Sequence, residues 1–304
     1  MIPEKKIDFF IVGAARCGTT SLYNYLKSNE QIFLPNVKET NFFSEVSSHR
    51  REDYELPKED EFYHTKIIKS VEVYNALYKK AEKDQIKGDI SPSYLWDLDA
   101  ARRIYNYNPK AKVIISLRHP VDRAFSHYIM NYYTGSDKTE TFSEAIKATK
   151  NLKWSSCNQY LEMGLYYKQV KAYFDLFKRE QIKVLVYEDW ITNTEEELKK
   201  VFEFLDLETT AKVVPKNVET NKIKPIRNLT LLNFLRQNSI RRVLKLFLSD
   251  RTIEKVKSNV FYADKEIEAL DNELKNNLSK SFSKDVKELS ELTQIDFIDK
   301  WKLN

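Results

Sequence analysis

Cysteine is scarce in this chain: of 304 residues only Cys17 and Cys157 carry a thiol, so no disulfide framework organises the fold and a reducing compartment is expected. Histidine is almost as rare. His49, His64, His119 and His127 show no pair at metal-ligand spacing with cysteines or carboxylates, so neither a structural nor a catalytic metal is expected. Long hydrophobic runs are missing: no window of transmembrane length is free of charge, and the opening MIPEKKID lacks the apolar centre of a signal peptide. The expectation is a soluble, cytoplasmic protein. The chain also lacks a serine nucleophile elbow, a dinucleotide-type G-x-G-x-x-G, internal repeats and low-complexity tracts. Charge of one sign is nearly absent as an excess, with a net of +5 among 31% charged residues, which does not indicate nucleic-acid binding and is compatible with anionic ligands.

What the chain does have is 42% apolar residues, enough to core one large α/β domain. Its organising stretch is IDFFIVGAARCGTTSLYNYL, Ile7 to Leu26. Ile7 to Val12 reads as a strand covered on both faces. The loop from Gly13 to Gly18 follows, and Thr19, Thr20 and Ser21 open a helix whose apolar positions Leu22, Tyr25 and Leu26 recur at i, i+3 and i+4. Backbone N–H groups of such a loop and of the first helical turn converge where the helix dipole favours an anion. The spacing Gly13-x-x-x-x-Gly18 is that of a P-loop, but Thr19 stands where the P-loop has lysine, and Arg16 is the loop's only cation. That points to a phosphate-like ligand handled without the metal bridge of a nucleotide triphosphatase. A tight turn that binds nothing is the alternative.

Further along, Lys38-Glu39 precedes the apolar pair Phe42-Phe43 and reads either as a carboxylate held near the loop's ligand, a candidate general base, or as an ordinary solvated pair. Residues 44–84 are charged and weakly patterned, with Val71 to Glu82 helical; they suit an insertion over one face, at the edge of an acceptor cleft or simply solvated. Strands are expected at Ile86–Ile90, Lys112–Leu117 and Ile182–Tyr187, with helices at Leu98–Tyr107, after Pro120, at Thr141–Lys150, at Tyr166–Arg179 and at Thr194–Leu205. Thr141-x-x-Glu144 and Thr194-x-x-Glu197 have the form of capping boxes. This alternation implies a parallel sheet with right-handed crossovers. The second buried strand ends in Arg118 rather than in a metal-binding Asp. Arg118 and Ser126 in the next helix suit a second phosphate, and a salt bridge from Arg118 to Asp122 or Asp89 is the competing reading. Beyond Pro215 only helices are expected, one of them Leu229–Leu248, basic and amphipathic, suited to packing on the sheet or to peripheral membrane contact.

Taken in order, GAARCGTTS, KETNFF, SPSYL and ISLRHPVDRAFSHY resemble the sulfotransferases that use 3′-phosphoadenosine 5′-phosphosulfate (PAPS), in the carbohydrate branch that includes bacterial members and the heparan sulfate enzymes. The resemblance runs from about Ile7 to Leu207, with a weaker echo at Leu274–Trp301. It implies a P-loop-like three-layer α/β fold, a central parallel sheet flanked by helices, in a single domain comprising a nucleotide-binding core (1–215) and a helical C-terminal part (216–304). It further implies that Ala15, Arg16, Cys17, Gly18, Thr19, Thr20 and Ser21 hold the 5′-phosphosulfate, and that Arg118 and Ser126 hold the 3′-phosphate. Glu39 falls on the base, with Lys38 and Arg16 stabilising the sulfonate and the bridging oxygen; His119 is the rival base. The branch often carries His two residues after this Glu, where this chain has Asn41. The implied reaction moves a sulfonate from PAPS to a hydroxyl or amine of a saccharide or glycolipid, releasing 3′,5′-adenosine bisphosphate (PAP), with no metal and no nucleic-acid partner. A P-loop-type nucleotide kinase or NTPase and a non-catalytic nucleotide-binding protein are the alternatives.

Overall fold

A computed structural model of the chain describes residues 6–208 and 269–303. The elements begin with β1 (Phe9–Gly13), α1 (Thr19–Lys27), β2 (Ile32–Phe33), β3 (Val37–Glu39), β4 (Tyr63–Thr65), α2 (Val71–Ala76) and β5 (Ile86–Ile90). Next come α3 (Ser93–Trp96), α4 (Ala100–Tyr107), β6 (Lys112–Leu117), α5 (Pro120–Thr134), α6 (Phe142–Ala145) and α7 (Tyr166–Phe174). They continue with β7 (Ile182–Val186), α8 (Tyr187–Thr192), α9 (Thr194–Phe204) and, from residue 269 onward, α10 (Asn272–Thr293) and α11 (Phe297–Trp301). The expected helix Leu229–Leu248, with its membrane reading, lies outside the described residues.

Five strands pair in parallel in the order β2-β5-β1-β6-β7, with β1 at the centre. All five residues of β1 are buried, as expected of a strand covered on both faces. Side-chain alternation divides them between two cores. Phe10 and Val12 pack with Val113, Ile115, Tyr173 and, from the C-terminal helices, Phe282, Val286, Phe297 and Trp301. Phe9 and Ile11 pack on the opposite face with Leu22, Leu26, Ile114, Leu185, Trp190, Val201 and Phe202. The sheet is thus the middle of three layers. Each such aromatic or aliphatic side chain contributes roughly 1.5–3 kcal/mol of burial.

The helical end is joined to the core by polar bonds as well. Asp285 of α10 accepts hydrogen bonds from the N–H groups of Tyr166 (2.7 Å) and Tyr167, completing the first turn of α7, and burial raises its carboxyl above the usual range. Trp301 Nε1 donates to Glu188 on α8 at 3.1 Å.

Boundaries differ from expectation in identifiable ways. Helix α7 stops at Phe174, five residues before Arg179, yet Phe177 remains buried, so apolar spacing outlasts the helix. The helix expected at Thr141–Lys150 is only the turn Phe142–Ala145, though its capping box forms between Thr141 and Glu144. The box at Thr194 does not form. Helix α8 runs directly into α9, Asn193 takes the cap position without a side-chain bond, and Thr194 is already helical.

Candidate active site

Chain connections leave β1 toward β5 and β2 on one side and later fill β6 and β7 on the other, so the carboxyl ends of β1 and its neighbours form a switch point where α/β sheets bind ligands. The loop Gly13–Gly18 sits there. Ala14 N donates to Ser116 O of β6 at 2.7 Å, and Ser116 Oγ donates to Cys17 O at 2.8 Å while accepting from Trp190 Nε1 at 3.2 Å. Gly18, at φ +79°, is the N-cap of α1, and no side chain caps that helix. The N–H groups of Thr19, Thr20 and Ser21 therefore point out of the helix end with no intrahelical partner. Cys17 is wholly buried, and burial pushes its thiol up to about 11, so it packs as a neutral group.

Three guanidinium groups gather around this loop. Arg16, in the left-handed region at φ 69°, donates from Nε to Ser126 Oγ on α5 at 3.3 Å. Arg118, just past β6, stacks on the Tyr187 ring at 4.7 Å from its centroid. Arg123 lies wholly buried in α5, donating to Tyr160 O while its Nε and Nη1 have no partner. Burial and then the nearby Arg118 charge lower Arg16, with Arg123 adding to the repulsion. Among the described residues no carboxylate forms an ion pair with any of the three. Asp122 pairs with Lys275, and Asp89 accepts from Thr40, Tyr74, Ser91 and Tyr94, so the two expected competitors for Arg118 are engaged elsewhere. Cations crowded together without an ion-pair partner suit an anionic ligand.

Arg16 and Ser126 are expected at opposite ends of a nucleotide. Here they touch, which joins the loop to α5, with the Arg118 charge close enough to act on Arg16.

Lys38 and Glu39 are not a solvated pair. Lys38 is buried, Glu39 is 8% exposed, and their Nζ–Oε1 distance is 2.8 Å. Burial pushes the Glu39 carboxyl up, but the Lys38 charge and His64, whose Nε2 lies 3.4 Å from Oε1, more than offset this and hold it well below the usual carboxylate range. The following residues fix its place. Ser91 Oγ accepts from Thr40 N at 3.1 Å and Asn41 N at 3.2 Å, and Ser91 N donates to Ile11 O of β1 at 3.1 Å. Glu39 is thereby tied to the same end of the sheet as the loop. Beneath it Asp89, raised by burial, anchors Thr40 at 2.8 Å.

His119 is the N-cap of α5: its Nδ1 accepts from Val121 N at 3.2 Å, and burial lowers it to about 4. Glu188, in the first turn of α8, accepts from His119 N at 2.9 Å and so ties α8 to the start of α5. Among the described residues no group of three or more His, Cys, Asp or Glu side chains could hold a metal ion. Sequence reasoning missed His64, which sits in a weakly patterned segment, and Arg123, whose lack of a partner no spacing reveals.

The sulfotransferase family profile matches residues 8–211, spanning the loop, Glu39, Arg118 and Ser126. The chain belongs to the sulfotransferase family. Relatives include human carbohydrate sulfotransferase 15, 25% identical over 248 residues covering 66% of this chain and 43% of that protein. Mouse heparan sulfate glucosamine 3-O-sulfotransferase 3B1 is 25% identical over 201 residues, 65% of this chain and 45% of that protein. The chain thus spans less than half the length of these curated relatives. A sulfotransferase from Alicyclobacillus acidocaldarius, known from its crystal structure, shares the fold at a TM-score of 0.67 and 25% identity over 98% of this chain and 99% of that one. No described helix of this family member is long and apolar enough to cross a membrane.

Proposed function

We propose that this protein is a PAPS-dependent sulfotransferase that sulfonates a hydroxyl or amine on a saccharide or glycolipid, with Glu39 as general base. The observation that carries this reading is the pairing of a guanidinium cluster without ion-pair partners among the described residues, Arg16, Arg118 and Arg123, with a buried, lysine-paired carboxylate at the same sheet end. Family membership supports sulfonate transfer, and the relatives' names support a carbohydrate acceptor.

The donor supplies a sulfonate whose bond to the 5′-phosphate oxygen breaks as the acceptor oxygen bonds to sulfur. Charge is already spread over the sulfonate oxygens, so positioning and cationic clamping do most of the catalysis. The loop N–H groups, Thr19, Thr20, Ser21 and Arg16 would hold the 5′ end, with Ala15 and Cys17 shaping the backbone. Arg118 and Ser126 would take the 3′-phosphate. Ser126 then exchanges its contact with Arg16 for the nucleotide. Glu39 takes the acceptor's proton while Lys38 keeps it anionic beforehand and steadies the developing charge.

The direct test is a thermal shift. PAP without Mg²⁺ should stabilise the protein by about 2.7 kcal/mol at a hundredfold excess over Kd, a rise of roughly 4 °C. Stabilisation by Mg-ATP alone would point to a nucleotide kinase or NTPase and end the proposal. Arg118→Ala should cut the preference for PAP over AMP roughly 10- to 100-fold, the weight of a charge-assisted phosphate contact, read by titration calorimetry. An unchanged preference would move the 3′-phosphate elsewhere. A screen of glycan acceptors with labelled PAPS identifies the substrate.

A further inference from the structure

We infer that His64 is a positioning residue for the base, and that it leaves proton abstraction to one atom, Glu39 Oε2. The inference rests on the reading of Glu39 as the base. It starts from strand pairing. β3 and β4 form a two-stranded parallel ribbon in which Val37 is opposite Tyr63 and Glu39 opposite Thr65, so His64 lies beside Lys38. The ribbon is closed beyond Glu39 by Lys66 N donating to Glu39 O at 2.8 Å and Ile68 N to Thr40 O at 3.1 Å. Asn41 completes it. This wholly buried amide donates to Lys66 O at 2.7 Å, Thr65 Oγ1 at 3.0 Å and Glu39 O at 3.2 Å, and its own oxygen accepts from Ser93 at 2.6 Å. Asn41 is thus occupied in holding β4 in register. The imidazole beside the base comes from β4 instead.

Both contacts to the carboxylate reach the same oxygen. Lys38 Nζ stands 2.8 Å and His64 Nε2 3.4 Å from Oε1, and among the described residues no hydrogen bond reaches Oε2. Lys38 hydrogen-bonds Oε1 and the His64 ring stands against the same oxygen, so turning the carboxylate would give up both contacts, and Oε2 keeps its aim. Lys38 holds from inside, with a fully buried side chain; His64 holds from outside, with 58% of its side chain exposed. In the reaction the acceptor oxygen bonds to sulfur, and the sulfur–oxygen bond to the 5′-phosphate breaks with its electron pair remaining on the phosphate. The hydroxyl proton ends on Oε2 and then passes to water.

The test uses the full chain, labelled PAPS, and two acceptor probes, heparan sulfate and water, the latter read as sulfate release. His64→Ala should lower kcat about 10- to 100-fold, the effect of a small misalignment of a reacting group, with KM for PAPS held within about twofold. His64→Gln, which restores an N–H donor but cannot titrate, should recover most of the rate. PAP affinity of both variants should match the parent, and both should stay folded at the assay temperature. His64→Ala at the parental rate overturns the inference. So does His64→Gln as slow as His64→Ala, since that marks proton transfer rather than positioning. If Glu39→Gln keeps its rate, or the unaltered chain turns over no PAPS on either probe, the underlying reading falls and the inference with it. An inactive Glu39→Gln beside a fully active His64→Ala removes only the inference.

Discussion

Glu39→Gln is expected to lower kcat by roughly 10²- to 10⁴-fold, the ordinary weight of a general base, while PAP affinity stays within about threefold. The two expectations separate because of what the amide keeps. Its oxygen still accepts from Lys38, so the 2.8 Å contact that seats the side chain survives in neutral form. What disappears is the capacity to take a proton, and with it the charge that Lys38 and His64 hold far below the usual carboxylate range against the upward push of burial. That depression has a consequence for stability. A carboxyl whose folded value lies below its unfolded value of about 4.3 contributes stability that is present above that unfolded value and lost as pH falls through the folded one. The parent should therefore be more stable than Glu39→Gln at pH 7, with the gap closing below about pH 4. Urea titrations at several pH values read this directly. A variant with near-normal turnover would remove Glu39 as the base; one that is inactive because it no longer binds PAP would mean that Glu39 shapes the nucleotide site.

The features most legible in the sequence were those written in short-range pattern. β1 and β6 announce themselves as apolar runs because both faces of the sheet are covered, and the glycine-bounded loop follows from its place between strand and helix. Helix ends were less legible. Phe177 keeps the apolar spacing of α7 going because it packs beside Tyr173, so periodicity cannot see that the backbone has already turned at Asp175. The box at Thr194 failed for a tertiary reason: α8, not foreseen as a helix, occupies the residues before it. The Lys38-Glu39 pair shows the limit most clearly. Spacing alone cannot distinguish a solvated pair from a buried one, because burial here comes from β4, a three-residue strand more than twenty residues away with no alternation long enough to read. His64 enters the site by the same route. The uncompensated charge of Arg16 and Arg118 was half legible: the cations were visible, but the engagement of Asp122 with Lys275 and of Asp89 with its hydroxyl partners was not.

Gly18→Ala should disable the site more completely than loss of any one phosphate contact. A Cβ built on Gly18 would stand 2.1 Å from Trp190 Cζ2 and 3.0 Å from Tyr187 Cε2, on a backbone at φ +79° that L side chains rarely adopt. Trp190 is buried and tethered. It is packed among Leu22, Leu185, Leu198 and Val201, and its indole N–H bonds the same Ser116 hydroxyl that holds Cys17 O. Left-handed strain costs about 1–2 kcal/mol and overpacking about 1–3, so a loss of roughly 2–5 kcal/mol is expected in denaturant titration. The functional loss should be larger than this figure implies, because of what the displaced rings carry. If Trp190 moves, the tether between the loop and β6 breaks; if Tyr187 moves, the ring under Arg118 moves with it. If Gly18 moves instead, the first-turn N–H groups of α1 no longer converge. Each route damages the loop, Arg118 or both, and PAP affinity should fall at least about 100-fold. Adding Trp190→Leu should relieve the contact but not the backbone strain, recovering part of the stability. A variant that melts early yet binds PAP as the parent does would make Gly18 a packing glycine only, and the loop could no longer be the cradle for the 5′-phosphosulfate.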